Sequence, residues 1–140
     1  MILVDSGVFI AAVTAKDKHH AAAKAILADI AKGVWGAGLV PEYVFVESVN
    51  YLVRKRGLEV AVAFARQLLA AKELTLVPCL RGFPRALTEF LEQRGTALSF
   101  TDASLVSVAK GRGVRYIATF DSDFRAIPGL RVVSGPERAS

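Results

Sequence analysis

Five carboxylates stand where they could do chemistry together: Asp5, Glu47, Asp102, Asp121 and Asp123. Asp121 and Asp123 close the stretch Arg-Tyr-Ile-Ala-Thr-Phe-Asp-Ser-Asp-Phe, residues 115–124, whose first half alternates and branches as a short buried strand does. They follow that strand's C-terminal end, the edge of an open α/β sheet at which ligands bind. Asp5 follows the N-terminal strand in the same way, Glu47 lies inside an apolar helix, and Asp102 opens a later helix. Carboxylates gathered at one edge repel, a pair at about 4 Å costing on the order of 4 kcal/mol at an effective dielectric of 20. Protons or a divalent cation must relieve that repulsion. Oxygen-only donors select Mg²⁺ or Mn²⁺ over zinc, and no His or Cys falls near these acids in sequence. Such an ion activates water and stabilises charge developing on a phosphodiester; two ions about 3.5–4 Å apart hold both the attacking and the leaving oxygen. The expected chemistry is magnesium-dependent phosphodiester hydrolysis.

Each acid also has a plainer role. Asp5 could be a charge at a helix N-terminus. Glu47 could be the buried partner of Arg54, seven residues on. Because apolar residues surround its helix nearly completely, an unpaired carboxylate there would cost several kcal/mol. Asp102 could be a capping charge. Against that, Leu105, Val106 and Ala109 follow it at helical spacing and place it on the helix's inward stripe.

The elements that must position these residues alternate between strand and helix. Met1–Val4 reads as a buried strand ended by Asp5-Ser6-Gly7, with Ser6 able to cap the next helix. Ala21–Lys32 reads as a helix with Asp17 as N-cap and Gly33 as stop; the pair His19-His20 before it reads as surface or cap histidines, since adjacent helical residues diverge. Val34–Val40 is a strand containing close-packing glycines. Pro41 opens a helix running to Arg56, and Arg54-Lys55-Arg56 either complements that helix's C-terminal dipole or contacts nucleic acid. Helices at Leu58–Ala71 and Phe83–Gln93 flank a strand at Leu74–Val77. Ser99 or Thr101 caps a helix that stops at Gly111 and Gly113. Leu130–Val133 is a last strand, and the polar tail from Ser134 is expected to fray. With no repeat or linker, the pattern implies a parallel sheet with helices on both faces.

The 140 residues fit a single domain, 1–140, and a hydrophobic fraction of 53% supplies a sizeable core. No apolar run reaches the roughly 18 residues of a membrane span, and Asp5 interrupts the start too early for a signal peptide. A soluble, cytoplasmic protein is expected. The lone Cys79 suits a reducing compartment and reads as a small buried hydrophobe. A net charge of +5 favours a polyanion approaching the acids, though solubility alone could account for it. Other α/β chemistries fail on specifics: the first turn is Asp5-Ser6-Gly7-Val8-Phe9 rather than a Gly-x-Gly-x-x-Gly, no P-loop exists, and an aspartyl-phosphatase's second Asp is Gly7.

Four segments together resemble the PIN domain, most closely a VapC-type ribonuclease toxin of a toxin–antitoxin pair: Val4-Asp5-Ser6, Val46-Glu47-Ser48, Phe100-Thr101-Asp102-Ala103, and Thr119-Phe120-Asp121-Ser122-Asp123-Phe124. Each motif constrains few positions; their order and spacing carry the resemblance. It implies a three-layer α/β/α fold on a mostly parallel five-stranded sheet and Mg²⁺-dependent hydrolysis of RNA. It implies a catalytic tetrad Asp5, Glu47, Asp102 and Asp121, with Asp5 and Asp102 as principal metal ligands and Glu47 and Asp121 completing the site through water or orienting the nucleophile. Ser6 and Thr119 would support the ligands by hydrogen bonds, and Asp123 is a further candidate ligand. A homodimer held by a small antitoxin is implied as well. A stand-alone PIN nuclease of RNA processing, or a silent RNA- or protein-binding module, are the alternatives.

Overall fold

A computed structural model describes residues 1–137. The chain runs β1 (Ile2–Val4), α1 (Ser6–Ala12), α2 (His20–Ala31), β2 (Gly38–Pro41), α3 (Glu42–Arg56), α4 (Leu58–Ala70), β3 (Leu74–Val77), α5 (Phe83–Glu92), α6 (Phe100–Arg112), β4 (Tyr116–Ala118), a 3-10 turn (Ser122–Ala126) and β5 (Arg131–Val133). The five strands form one parallel sheet in the order β3-β2-β1-β4-β5. Central β1 is a continuous apolar run, Ile2-Leu3-Val4, wholly buried, as a strand covered on both faces must be.

The strand order fixes where a site can form. From β1 the chain steps outward to β2 and β3, then returns past its starting point to β4 and β5. The direction reverses between β1 and β4, which makes the crevice beyond their C-terminal ends the switch point where ligands bind in open α/β sheets. Right-handed crossovers place the helices of the outward path on one face and α5 and α6, which pack together, on the other. In register, Val4 pairs with Ala118, so the residues just past them, Asp5 and Thr119, come to lie side by side.

Several local expectations are corrected. The strand expected over Val34–Val40 is confined to Gly38–Pro41, because residues 33–37 turn back after α2, with Gly33 and Gly36 at positive φ. Gly38 sits at a close approach: a Cβ there would lie 2.7 Å from Leu74 Cδ2 and 3.1 Å from Ile30 Cγ2, so those side chains would have to shift. Pro41 ends β2 and flanks α3 instead of being its first residue. His19, not Asp17, is the N-cap of α2; Asp17 braces the approach by accepting the His19 N–H at 2.7 Å. Cys79 is half-buried in a loop rather than buried. The tail is pinned as far as Glu137, whose N–H donates to Asp29 at 2.9 Å; the rest of the expected frayed segment lies outside the described residues.

Candidate active site

Asp5 is the N-cap of α1, its backbone extended at φ −80° and ψ 155°. Its Oδ1 accepts the Ser6 N–H at 2.8 Å, and its Oδ2 accepts the Thr119 hydroxyl at 2.7 Å. The side chain is nearly enclosed, with Asp5 only 6% exposed. Burial pushes its carboxyl up to about 6, with Asp102 and Glu47 adding to the rise and the Thr119 and Ser6 hydrogen bonds opposing it. Those two acids therefore act on Asp5 through space although they come from α6 and α3.

Thr119, fully buried at the end of β4, joins two of the acids. Its hydroxyl donates to Asp5 and accepts the Asp121 N–H at 3.0 Å. Asp121 then caps the 3-10 turn, its Oδ1 accepting the Asp123 N–H at 2.9 Å. Asp121 is exposed, Asp123 partly so. Asp123 contributes to this chain of bonds through its backbone.

Glu47 requires a correction. Its helix α3 is not encircled by packing: Val44, Ser48 and Leu52 alone are buried, and Glu47 is exposed. The apolar residues on the other sides, Val46, Tyr51 and Val53, face outward. Nor is Arg54 its partner, since the one ion pair among the described residues is Lys110–Glu89 at 2.7 Å. Glu47 is brought to the site by Ser6, whose hydroxyl donates to Glu47 Oε2 at 2.7 Å while lying 3.4 Å from Asp5 Oδ1. A hydroxyl has one proton to give, and the shorter contact takes it.

Asp102 combines the two roles considered for it. It is the third residue of α6 in a capping box: Ser99 Oγ accepts the Asp102 N–H at 3.1 Å, and Asp102 Oδ2 accepts the Ser99 N–H at 3.2 Å. Yet it is half-buried rather than solvated. Burial raises its carboxyl above the ordinary range despite the Ser99 bonds, and Glu47 and Asp121 push the same way. Asp5, Glu47, Asp102 and Asp121 thus share one field, and no lysine or arginine pairs with any of them among the described residues.

That field bears on whether these residues suit a divalent metal. A buried carboxylate raised by two like charges and uncompensated by any basic side chain is relieved by a proton or by a cation. The donors are all oxygen, as hard cations require. Among the described residues no three His, Cys, Asp or Glu side chains are grouped closely enough to hold a metal ion. Beside it, and not foreseen from the sequence, His19 stacks on Phe120 with centroids 4.1 Å apart and planes within 6°. The two lie a hundred residues apart, and no local signal links them.

Comparison with known proteins follows the geometry. The family model described as PIN domain matches residues 2–130. Among solved structures, the chain is similar to the sarcin-ricin-loop-cleaving toxin VapC20 of Mycobacterium tuberculosis, with 24% identity over 91% of this chain and 95% of that one and a TM-score of 0.80. It is similar to VapBC2 of Rickettsia felis bound to a promoter DNA fragment, with 18% identity, 95% and 98% coverage and a TM-score of 0.69. DNA-bound VapBC of Salmonella typhimurium shows 16% identity, 94% and 96% coverage and a TM-score of 0.69. At these identities the solved structures establish the shared fold. No curated protein matches the sequence significantly.

Proposed function

The chain belongs to the PIN domain family, and on that basis we propose that it is a divalent-metal-dependent endoribonuclease serving as the toxin of a toxin–antitoxin pair. The observation that carries this reading is the buried Asp5 carboxylate at the β1/β4 switch point, held by Ser6 and Thr119 within the field of Glu47 and Asp102. Mg²⁺, or Mn²⁺ in its place, suits the donor set, and when bound such an ion supplies an activated water and neutralises charge on the phosphodiester.

Asp5 and Asp102 would be its principal ligands. Asp5 keeps its orientation because each of its oxygens accepts a hydrogen bond. Asp102 keeps one oxygen on the Ser99 N–H and has the other free to turn toward the metal. Glu47 and Asp121, both solvent-facing, are placed to reach the metal through water or to orient the attacking water. Asp123, one residue beyond Ser122 in the same turn, is a further candidate ligand.

Partners follow from surfaces this chain leaves uncovered. An apolar cleft of about 250 Å³ lined by Phe9, Val13, Leu27, Phe64 and Leu68 supports an antitoxin segment as occupant, and a structural neighbour from Klebsiella pneumoniae is a toxin–antitoxin complex. Helix α5 buries only Ala86 and leaves Phe83, Leu87, Phe90 and Leu91 exposed, which supports a homodimer.

The test is direct: purified protein is incubated with a panel of structured and unstructured RNAs in Mg²⁺, in Mn²⁺ and in EDTA. Discrete cut sites that vanish in EDTA are expected. Intact RNA under all conditions, from a protein shown to be folded, would overturn the nuclease reading in favour of a binding module.

A further inference from the structure

Away from the carboxylates, a pocket of about 310 Å³ opens between the β3–α5 connection and the far side of α6. Three arginines line it: Arg81 in the turn before α5, Arg85 in the first turn of α5, and Arg112 at the end of α6. Among the described residues none of the three enters an ion pair, and no carboxylate lines the pocket.

Plain surface electrostatics does not account for this arrangement. Arg81 and Arg85 stand at the N-terminal end of α5, where the helix dipole is positive and disfavours cations. That helix has no acid in its first turn to offset them. Gly111 adds a second observation. A Cβ at that position would come within 2.8 Å of Arg85 Nη1, so the guanidinium occupies the space a side chain would fill. The Arg85 side chain thus lies against the backbone of α6 at Gly111. The wall also contains Ser107, only 5% exposed. Three guanidinium groups around one pocket that no carboxylate lines describe a site for an anion.

We propose that this pocket binds a phosphate group of the RNA backbone, as a subsite separate from the scissile position; the identity of the strand rests on the nuclease reading above. Guanidinium groups recognise phosphate bidentately, and one anion relieves the mutual repulsion of all three arginines. Asp102 and Gly111 are nine residues apart on α6, about 13 Å along its axis at 1.5 Å per residue. Asp102 lies on the opposite side of the helix from Gly111, at about 100° per residue. The pocket therefore holds a phosphate remote from the one being cut, and contributes grip rather than chemistry.

The experiment uses the full chain in EDTA, so that RNA is bound without being cut. Affinity for a 12-nucleotide RNA is measured across a KCl series for the wild type, Arg85→Gln, the triple variant Arg81→Gln/Arg85→Gln/Arg112→Gln, and Arg66→Gln, which makes the same charge change on α4. Arg85→Gln is expected to weaken binding about 10-fold and to lower the salt slope by about 0.7, the loss of one phosphate contact. Arg66→Gln should leave both within about two-fold. In parallel, inorganic phosphate is titrated against the wild type while the amide resonances of Ser107 and Gly111 are followed by NMR. Shifts with RNA at micromolar concentration and with phosphate only at many millimolar identify a backbone subsite; saturation by phosphate below a millimolar would instead identify a free phosphate-bearing ligand. A triple variant that binds RNA like the wild type, with no shift at Ser107 or Gly111 from either probe, overturns the proposal. So does a triple variant that loses binding only to an acidic antitoxin peptide. A wild type that binds no RNA yet shifts with phosphate would refute the nuclease reading and keep the anion site.

Discussion

At the scale of single residues, the account turns on a carboxylate placed where its charge is costly. Asp5 has its folded-state carboxyl at about 6 against an ordinary 3.8. Between those values the folded protein holds a proton that the unfolded chain has released, so stability falls as pH rises from about 4 to 6 and is level above that. The effect is on the order of 3 kcal/mol, and Asp102, shifted in the same direction, adds to it. Urea unfolding of the metal-free protein should therefore give a higher midpoint at pH 4.5 than at pH 7.5, with a shallower pH dependence in Asp5→Asn. Equal midpoints at the two pH values would show that the cluster is not strained. Glu47 offers a second check. With no Arg54 contact to lose, Arg54→Ala should change stability by less than about 0.5 kcal/mol, while Glu47→Gln should abolish RNA cleavage. An Arg54→Ala variant that barely folds, beside a Glu47→Gln variant that still cuts, would remove Glu47 from the site. The sequence made all four acids visible as candidates; the hydroxyls of Ser6 and Thr119 were reached through family resemblance, since a short polar side chain beside an acid is too common to stand out.

At the scale of elements, Asp102 belongs as much to α6 as to the site. A capping box and the proposed metal-ligand role ask different things of one carboxylate, and the capping bond uses only one oxygen, for Ser99. Asparagine keeps an acceptor for that N–H and removes a charge from the cluster. Asp102→Asn should then leave the metal-free fold as stable as the wild type or more so, and should abolish cleavage. Loss of the folded state on this substitution, seen by circular dichroism, would make Asp102 a cap and nothing else. Most elements were legible because period and punctuation agreed: β3 falls on Leu74–Val77 as expected, and α4 and α5 end within one residue of the expected positions. Helix α3 departs from its sequence expectation for a physical reason. Tyr43, Val46, Tyr51 and Val53 make it apolar on nearly every side, but apolarity does not reveal whether this chain or another molecule covers a face. Val34–Ala37 looked like strand because Val and Trp favour it, and the glycines at positive φ decided otherwise.

At the scale of the whole molecule, what could not be read from the sequence is the strand order, since it depends on which strand the returning chain pairs with. That return beside β1 brings Thr119 to Asp5 across 114 positions of sequence and makes the site. The same packing leaves α5 with Leu91 at 68% exposure beside Phe83, Leu87 and Phe90. The proposed homodimer predicts, by light scattering, a dimer mass for the wild type and a folded monomer for Leu91→Asp; an unchanged mass would move the dimer contact elsewhere, and a monomeric wild type would refute the dimer. The claim on which the rest depends is that the four acids form one metal site, and thermal unfolding tests it with least intervening machinery. An ion that binds only the folded state stabilises it, by about 2.7 kcal/mol at 100 times its dissociation constant. At pH 7.5 the account predicts that millimolar Mg²⁺ or Mn²⁺ raises the melting temperature of the wild type by several degrees and that of Asp5→Asn far less. A wild-type melting curve unmoved by either ion would contradict it.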